Sequence, residues 1–265
     1  MQIISKNRYQ GQTLKVSVKM CEFKGVSIML GAVSETVSLR DTVHTVLEIC
    51  DHKDITEIII GYPDRITDES LAVVNELSSM QGDIPVVTFR QTRPFMSGIN
   101  DMIDVARGSH CMLLASDMAL DLAVIPQMIQ KTKENPDVIH SVSRWKKGCK
   151  FYGYGKVKRV INFCAQKFLA VLYMRNLTDF TIPVQIAPAE LYKSIKFEEE
   201  GFPFLLEMVL KPIRLGYKFT ETPTNCYSRK EGKSSNSFMQ TADYLRVALH
   251  IRFMKKKDIL LDKKD

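Results

Sequence analysis

Between Val86 and Pro126 the chain alternates in a way that only a layered α/β architecture accommodates. Val86–Phe89 reads as a short strand, 90–94 as a basic loop, and about Ser97–Ala106 as a helix. Cys111–Ala115 reads as a second strand that runs out at Ser116-Asp117-Met118, and another helix begins near Ala123. A β-α-β unit of this kind delivers the end of its second strand to the carboxyl edge of a sheet, where open α/β sheets bind their ligands. A carboxylate at the tip of a buried apolar strand costs desolvation unless a cation or hydrogen-bond donors meet it. Asp117 is therefore either a ligand-binding residue or the N-cap of the helix that follows.

The rest of the chain supports that architecture. Val26–Leu30 is a buried-strand run broken at Gly31, and Leu39, Val43, Val46, Leu47 and Cys50 share one face of a helix over 39–50. Glu57–Ile60 is a second strand, ended by Gly61-Tyr62-Pro63-Asp64, and a helix is expected over Asp68–Met80. Further on, the pattern predicts a strand at Val138–Ser143, a long helix at Val157–Met174, and a helix at Phe202–Leu215 kinked by Pro212. A strand follows at Tyr217–Thr222, and a strand or hairpin is expected early, at Leu14–Met20. Strand–helix alternation through the first 145 residues implies a mostly parallel sheet covered on both sides. There is no internal repeat.

The net charge of +7 over 265 residues suggests nucleic acid only until it is divided. Residues 1–24 carry five basic and one acidic side chain, and residues 229–265 carry ten and five. The body between them, 25–228, has 22 basic and 24 acidic residues, which argues against a nucleic-acid groove across it. Basic ends suit an acidic membrane surface or a phosphate-bearing ligand. The reading divides the chain into a basic N-terminal extension (1–24), the α/β domain (25–228) and a basic loop with a helical tail (229–265). Six cysteines without a C-x-x-C pair fit reduced thiols in the cytoplasm. There is no signal pattern, and the longest apolar contender, Phe168–Met174, is far too short to span a bilayer.

In order and spacing these blocks resemble a family-2 glycosyltransferase of the GT-A fold, most like the dolichyl- and polyprenyl-phosphate sugar transferases, over roughly 25–236. Val26–Leu30 with Gly31-Ala32-Val33-Ser34-Glu35 resembles the family's first strand and P-T-Y-N-E turn, with Glu35 kept. Phe95-Met96-Ser97-Gly98-Ile99-Asn100, with Ala106-Arg107-Gly108, resembles G-x-G-x-A-x-N…A-R-G. Arg214–Pro223 is similar to R-x-G-Y-x-x-x-E-x-P, preceded by Phe202–Glu207, and Arg229–Ser234 to R-x-x-G-x-S. The departures are as clear. The D-x-D metal motif reads Ala115-Ser116-Asp117, and D-D-G-S-T-D is replaced by Tyr62-Pro63-Asp64-Arg65-Ile66-Thr67-Asp68, one residue longer. The closing Lys of the R-x-x-G-x-S-K block is Ser235, and D-x-T-S-G-F-R reads Asp179–Gln185.

The resemblance implies an inverting transfer from a nucleotide-sugar donor, with Mg²⁺ or Mn²⁺ helping to neutralise the leaving diphosphate. Asp117 would be its metal ligand and a catalytic residue. Gly31, Val33, Glu35, Tyr62, Asp64, Asn100, Ser116 and Asp117 would line the donor site. Arg144, Arg229 and Lys233 would clamp phosphates, with solvated surface charge the alternative for Arg144 and Arg229. Glu35 and Asn100 could equally be local cappers. Glu207, in an apolar helix, is either paired structurally or faces the acceptor. A phosphate acceptor needs no general base, and a hydroxyl does; Asp179 is the candidate base in the second case.

The acceptor expected is a lipid phosphate or a glycan. The helix expected at Asp243–Met254 has a wide apolar face and ends in Lys255-Lys256-Lys257. It either lies in a membrane interface, making the protein peripheral on a membrane, or packs on its own domain or on a second copy of the chain. A degenerate, non-catalytic relative that binds a nucleotide, lipid or partner is the other reading, supported by the missing first carboxylate.

Overall fold

The computed structural model describes residues 21–153, 155–231 and 241–262. The strand or hairpin expected at Leu14–Met20, and Lys233, lie outside the described residues. In chain order the elements are β1 (Val26–Gly31), α1 (Val37–Ile49), β2 (Ile55–Tyr62), α2 (Asp68–Ser78), β3 (Val86–Arg90), α3 (Ile99–Val105), β4 (His110–Leu114) and α4 (Ile125–Glu134). They continue with β5 (Ile139–Ser143), α5 (Lys156–Tyr173), β6 (Gln185–Pro188), α6 (Ala189–Ser194), α7 (Pro203–Leu215), β7 (Phe219–Pro223) and α8 (Thr241–Phe253).

The seven strands form one sheet in the order β3-β2-β1-β4-β6-β5-β7. All pairs are parallel except those of β6, which runs antiparallel to both β4 and β5. The chain builds outward from β1 to β3 and then returns to the other side of β1 to lay down β4. That reversal is a topological switch point, and the crevice it opens at the carboxyl edge is the natural ligand site. Leu30 stands opposite Ile60 on one side and Leu114 on the other, so the ends of β1, β2 and β4 share that edge.

Alternation along the strands divides the core. Ile28, Leu30, Ile58, Ile60, Met112 and Leu114 face α1, α2 and α4, where Leu39, Val43, Val74, Leu77 and Met128 cover them. Met29, Ile59, Cys111 and Leu113 face the opposite layer, built from α3, α6 and α7 through Ile103, Tyr192 and Phe204. A third cluster joins α5, α7 and α8. Strands buried on both faces read as continuous apolar runs, which is why they are legible in the sequence.

The differences from expectation have local causes. The helix expected from Ser97 starts as a tight 3₁₀ turn, Phe95–Gly98, before α3. Gly98 sits where a Cβ would fall 2.5 Å from the Gln91 side chain. The helix expected near Ala123 likewise begins as a 3₁₀ turn, Leu122–Val124, and its cap is Asp121, which accepts from the Ala123 N–H at 3.1 Å. Asp117 is thus not the cap of that helix. Helix α7 runs on through Pro212. A proline there removes the donor that would meet the Met208 carbonyl, and the Gln185 side-chain amide reaches that oxygen instead, at 3.4 Å. The pair β6–α6 has no counterpart in the sequence reading.

The amino ends of the central strands are tied by one buried carboxylate. Glu57 on β2 accepts from Ser27 Oγ on β1 and from the Arg107 backbone N–H and Nε, each at 2.7 Å. Ser27 Oγ in turn accepts from the Gly108 N–H at 2.8 Å, and a Cβ on Gly108 would lie 2.6 Å from the Ser27 nitrogen. Glu57→Gln keeps the volume but loses the charge and turns one acceptor into a donor. It should destabilise the fold by about 2 kcal/mol, seen as a lower urea midpoint with an unchanged slope.

Candidate active site

Four segments converge on the carboxyl edge: the turns after β1, β2 and β4, and the stretch 226–231 that follows β7. The turn after β4 is held to β1 by Ser116, whose Oγ donates to the Gly31 carbonyl at 2.6 Å. Asp117 follows it, mostly buried. One of its carboxylate oxygens accepts from the Ala119 N–H at 3.1 Å, and the other lies 3.0 Å from Arg229 Nε. Met118 between them has φ +55°, a left-handed backbone that a non-glycine residue adopts at a cost of about 1 kcal/mol or more. A tight, strained turn thus aims Asp117 at the arm that carries Arg229.

That arm is fastened along its length. Tyr227 N–H donates to the Ala119 carbonyl at 2.8 Å, Lys230 N–H to the Asp117 carbonyl at 3.2 Å, and the Tyr227 ring stacks on Tyr152 at 5.2 Å. A further fastening is Glu231. The N-cap residue of α1, Thr36, makes no side-chain cap, and the first turn of α1 carries no acidic residue. Glu231 does both jobs from 195 residues away: it accepts from the Thr36 and Ser38 N–H groups, each at 2.9 Å, and from both hydroxyls. Those donors hold its carboxyl down at about 2, below the usual range. The contribution is therefore present above the unfolded value near 4.5 and lost as pH falls towards 2.

The other residues singled out from sequence fall into two groups. Gly31, Val33, Glu35 and Tyr62 lie on the same edge as Ser116 and Asp117. Glu35 caps its own turn, accepting from the Val33 and Ser34 N–H groups at 2.9 and 3.0 Å. Asp64 pairs with Arg90 on the surface, and Asn100 lies in the first turn of α3. Arg144 and Asp179 are partners of each other: Nε and Nη2 reach the carboxylate at 2.7 and 2.9 Å, and the Asp179 side chain is fully buried. In this structure the two residues thus meet each other. Glu207 is also an internal partner, 2.6 Å from Lys211 Nζ and accepting from the Glu198 and Glu199 N–H groups. Burial nevertheless pushes its carboxyl up. Glu231 and the Tyr152–Tyr227 stack were missed in the sequence. The signal available was a helix start, Thr36-Val37-Ser38, with no acidic residue of its own.

Among the described residues, a divalent ion at this turn would find one protein carboxylate, Asp117. No group of three or more His, Cys, Asp or Glu side chains converges among the described residues. That donor set fits a hard ion whose remaining ligands are phosphate oxygens and water, with Asp117 as the protein's share. A cavity of about 510 Å³ adjoins the outer side of the Asp117 turn, lined by Thr45, Ile49, Met118, Leu122, Tyr227 and Lys230 among others.

A mostly parallel sheet with its switch point between β1 and β4, and a single strand-end carboxylate facing a basic arm, defines a GT-A type α/β protein. The chain belongs to glycosyl transferase family 2, whose sequence profile matches residues 27–200. It is 22% identical over 191 residues to the uncharacterized glycosyltransferase YkcC of Bacillus subtilis (strain 168), covering 69% of this chain and 55% of that one. The chain thus spans about half the length of that curated relative. Among solved structures it resembles glucosyl-3-phosphoglycerate synthase from Mycobacterium tuberculosis in complex with Mn²⁺, UDP-glucose and phosphoglyceric acid. There the TM-score is 0.64 at 14% identity, over 88% of this chain and 81% of that one. The same synthase with Mg²⁺ and UDP gives 0.60 at 15% identity, over 86% and 79%. At such identities the likeness is one of fold.

Glu231→Ala should release the arm from α1. The expected result is faster amide exchange at 36–38 and easier proteolysis within 226–231, with a loss of about 1 kcal/mol in stability, as for a removed cap.

Proposed function

We propose that this protein moves a sugar from a nucleotide-sugar donor to an acceptor with inversion, the acceptor being a polyprenyl phosphate or a glycan at a membrane surface. The observation that carries this reading is the Asp117–Arg229 pair at the switch point of a family-2 glycosyltransferase. In such a transfer an acceptor oxygen attacks the anomeric carbon from one side while the bond to the diphosphate oxygen breaks on the other. The diphosphate leaves with the electron pair, and its charge must be met. Arg229, two-fifths exposed and held by one carboxylate among the described residues, can turn from Asp117 to the phosphates. Asp117, so released, faces the same diphosphate from the β4 end. A bound Mg²⁺ or Mn²⁺, held by Asp117, would add positive charge to the leaving group. Ser116 fixes the turn against β1, and the Glu231 cap keeps the arm over the donor. A phosphate acceptor is already ionised, which suits a site in which Asp179 and Glu207 are both engaged elsewhere.

A second reading has its own support. Ala115 stands where the metal motif's first carboxylate is expected, and Arg229 already occupies Asp117, so the fold also suits a non-catalytic binder of nucleotides. One panel separates the two. Nucleoside diphosphates are screened for thermal stabilisation with and without Mn²⁺, and nucleotide sugars for hydrolysis or transfer. The enzyme reading expects a raised Tm with one nucleotide, better with Mn²⁺, and weak Mn²⁺ binding without it. Asp117→Asn should then fold normally and lose on the order of a hundredfold in transfer. Tight nucleotide binding with no hydrolysis or transfer by the unaltered protein would favour the binder, and full activity in Asp117→Asn would remove Asp117 from the mechanism.

A further inference from the structure

Helix α5 packs on the domain through Gln166, Leu169 and Tyr173, which share one face. Its opposite face is apolar and, among the described residues, uncovered. Val157, Val160, Ile161, Phe168 and Val171 recur at helical spacing there, with Val157, Val160 and Val171 73%, 62% and 78% exposed. A surface helix normally turns its apolar stripe inward, and this one carries a second stripe outward. Along the chain to either side of it the charge is of one sign, with Arg144 and Lys146 meeting Asp179 and Glu221 from outside that stretch. Residues 138–178 contain nine Lys or Arg and no Asp or Glu. Lys156, Lys158 and Arg159 crowd the first turn of α5, which carries no acidic residue of its own and where the helix dipole disfavours cations.

We infer that the outer face of α5 is a docking surface for an anionic lipid membrane, with the apolar stripe entering the interface and the flanking lysines at the headgroups. Stripe and charge together select this occupant. A second copy of the chain would set two acid-free helices against each other, like charge on like charge, whereas an anionic bilayer answers both features at once. The tail helix α8 turns one face inward and leaves Leu245, Leu249 and Phe253 outside. Its Val247, Ala248 and Ile251 are buried against α7 and α5, and its Ala248 carbonyl accepts from Tyr173 Oη at 2.7 Å. The docking face also leads to the site: Arg159 at the start of α5 lies over Phe151, and Phe151 bridges to Cys226 at the root of the arm that carries Arg229. The surface stands whether or not the site transfers sugar.

The test is co-flotation with vesicles of phosphatidylcholine alone and with 30–40 mol% phosphatidylserine (about the range that gives a strongly anionic surface). The unaltered protein should bind the anionic vesicles preferentially and release them as salt is raised. The combined substitution Val157→Ser, Val160→Ser, Phe168→Ser and Val171→Ser should weaken binding on the order of tenfold or more, and Lys156→Gln with Lys167→Gln should erase the preference for anionic lipid. Tm and nucleoside-diphosphate stabilisation should be unchanged in both, which separates this surface from the donor site. Three results would overturn the inference. They are no vesicle binding by the unaltered protein, undiminished binding by both variants, or a dimer in sedimentation that the four serines convert to monomer.

Discussion

Glu57 is the constraint on which the geometry of the site depends. It is buried at the amino end of β2 and accepts from β1 and from the turn entering β4, so the three central strands are held in one register. Parallel strands have no hairpin to set their alignment, and a slip of one residue would exchange the two faces of the sheet. With the amino ends fixed, Gly31, Tyr62 and Leu114 emerge together at the opposite edge. A buried charge at one end of the sheet thereby sets the alignment of the strand ends at the other.

At that edge the molecule is held closed by its own charges. The arm after β7 supplies a cation to Asp117 and an anion to the start of α1, two contacts of opposite sign within three residues. A helix N-terminus and a lone carboxylate are each suited to a diphosphate and its counter-ion. Here both are met from within the chain. The proposed donor would therefore have to exchange at least the Arg229 contact.

The buried ion pairs elsewhere serve a different end. Arg144–Asp179 ties the end of β5 to the segment before β6, and Lys211 with Glu207 ties α7 to the loop before it. Such pairs are weak sources of net stability, since each charge is desolvated, but removing one partner leaves the other stranded. The first of them lies where the chain enters the short antiparallel strand β6, which joins the two halves of the sheet.

Much of this was determined by the sequence alone. Apolar runs of strand length, helix-period faces such as Leu39–Val43–Val46, and breaks at Gly31 and Gly61 gave the alternation, because doubly buried strands and amphipathic helices imprint a local period. Asp117 was legible for the same reason, as a charge ending an apolar run. Other features were decided only by tertiary structure. Strand β6 is four residues long and carries no period of its own; its partners β4 and β5 make it a strand. Asp179 and Arg144 look like site residues in sequence, and the fold spends them on each other. Glu231 looks like a surface charge until the fold brings it to a helix start 195 residues earlier. Pairings across such separations depend on register and topology, which a local pattern does not encode.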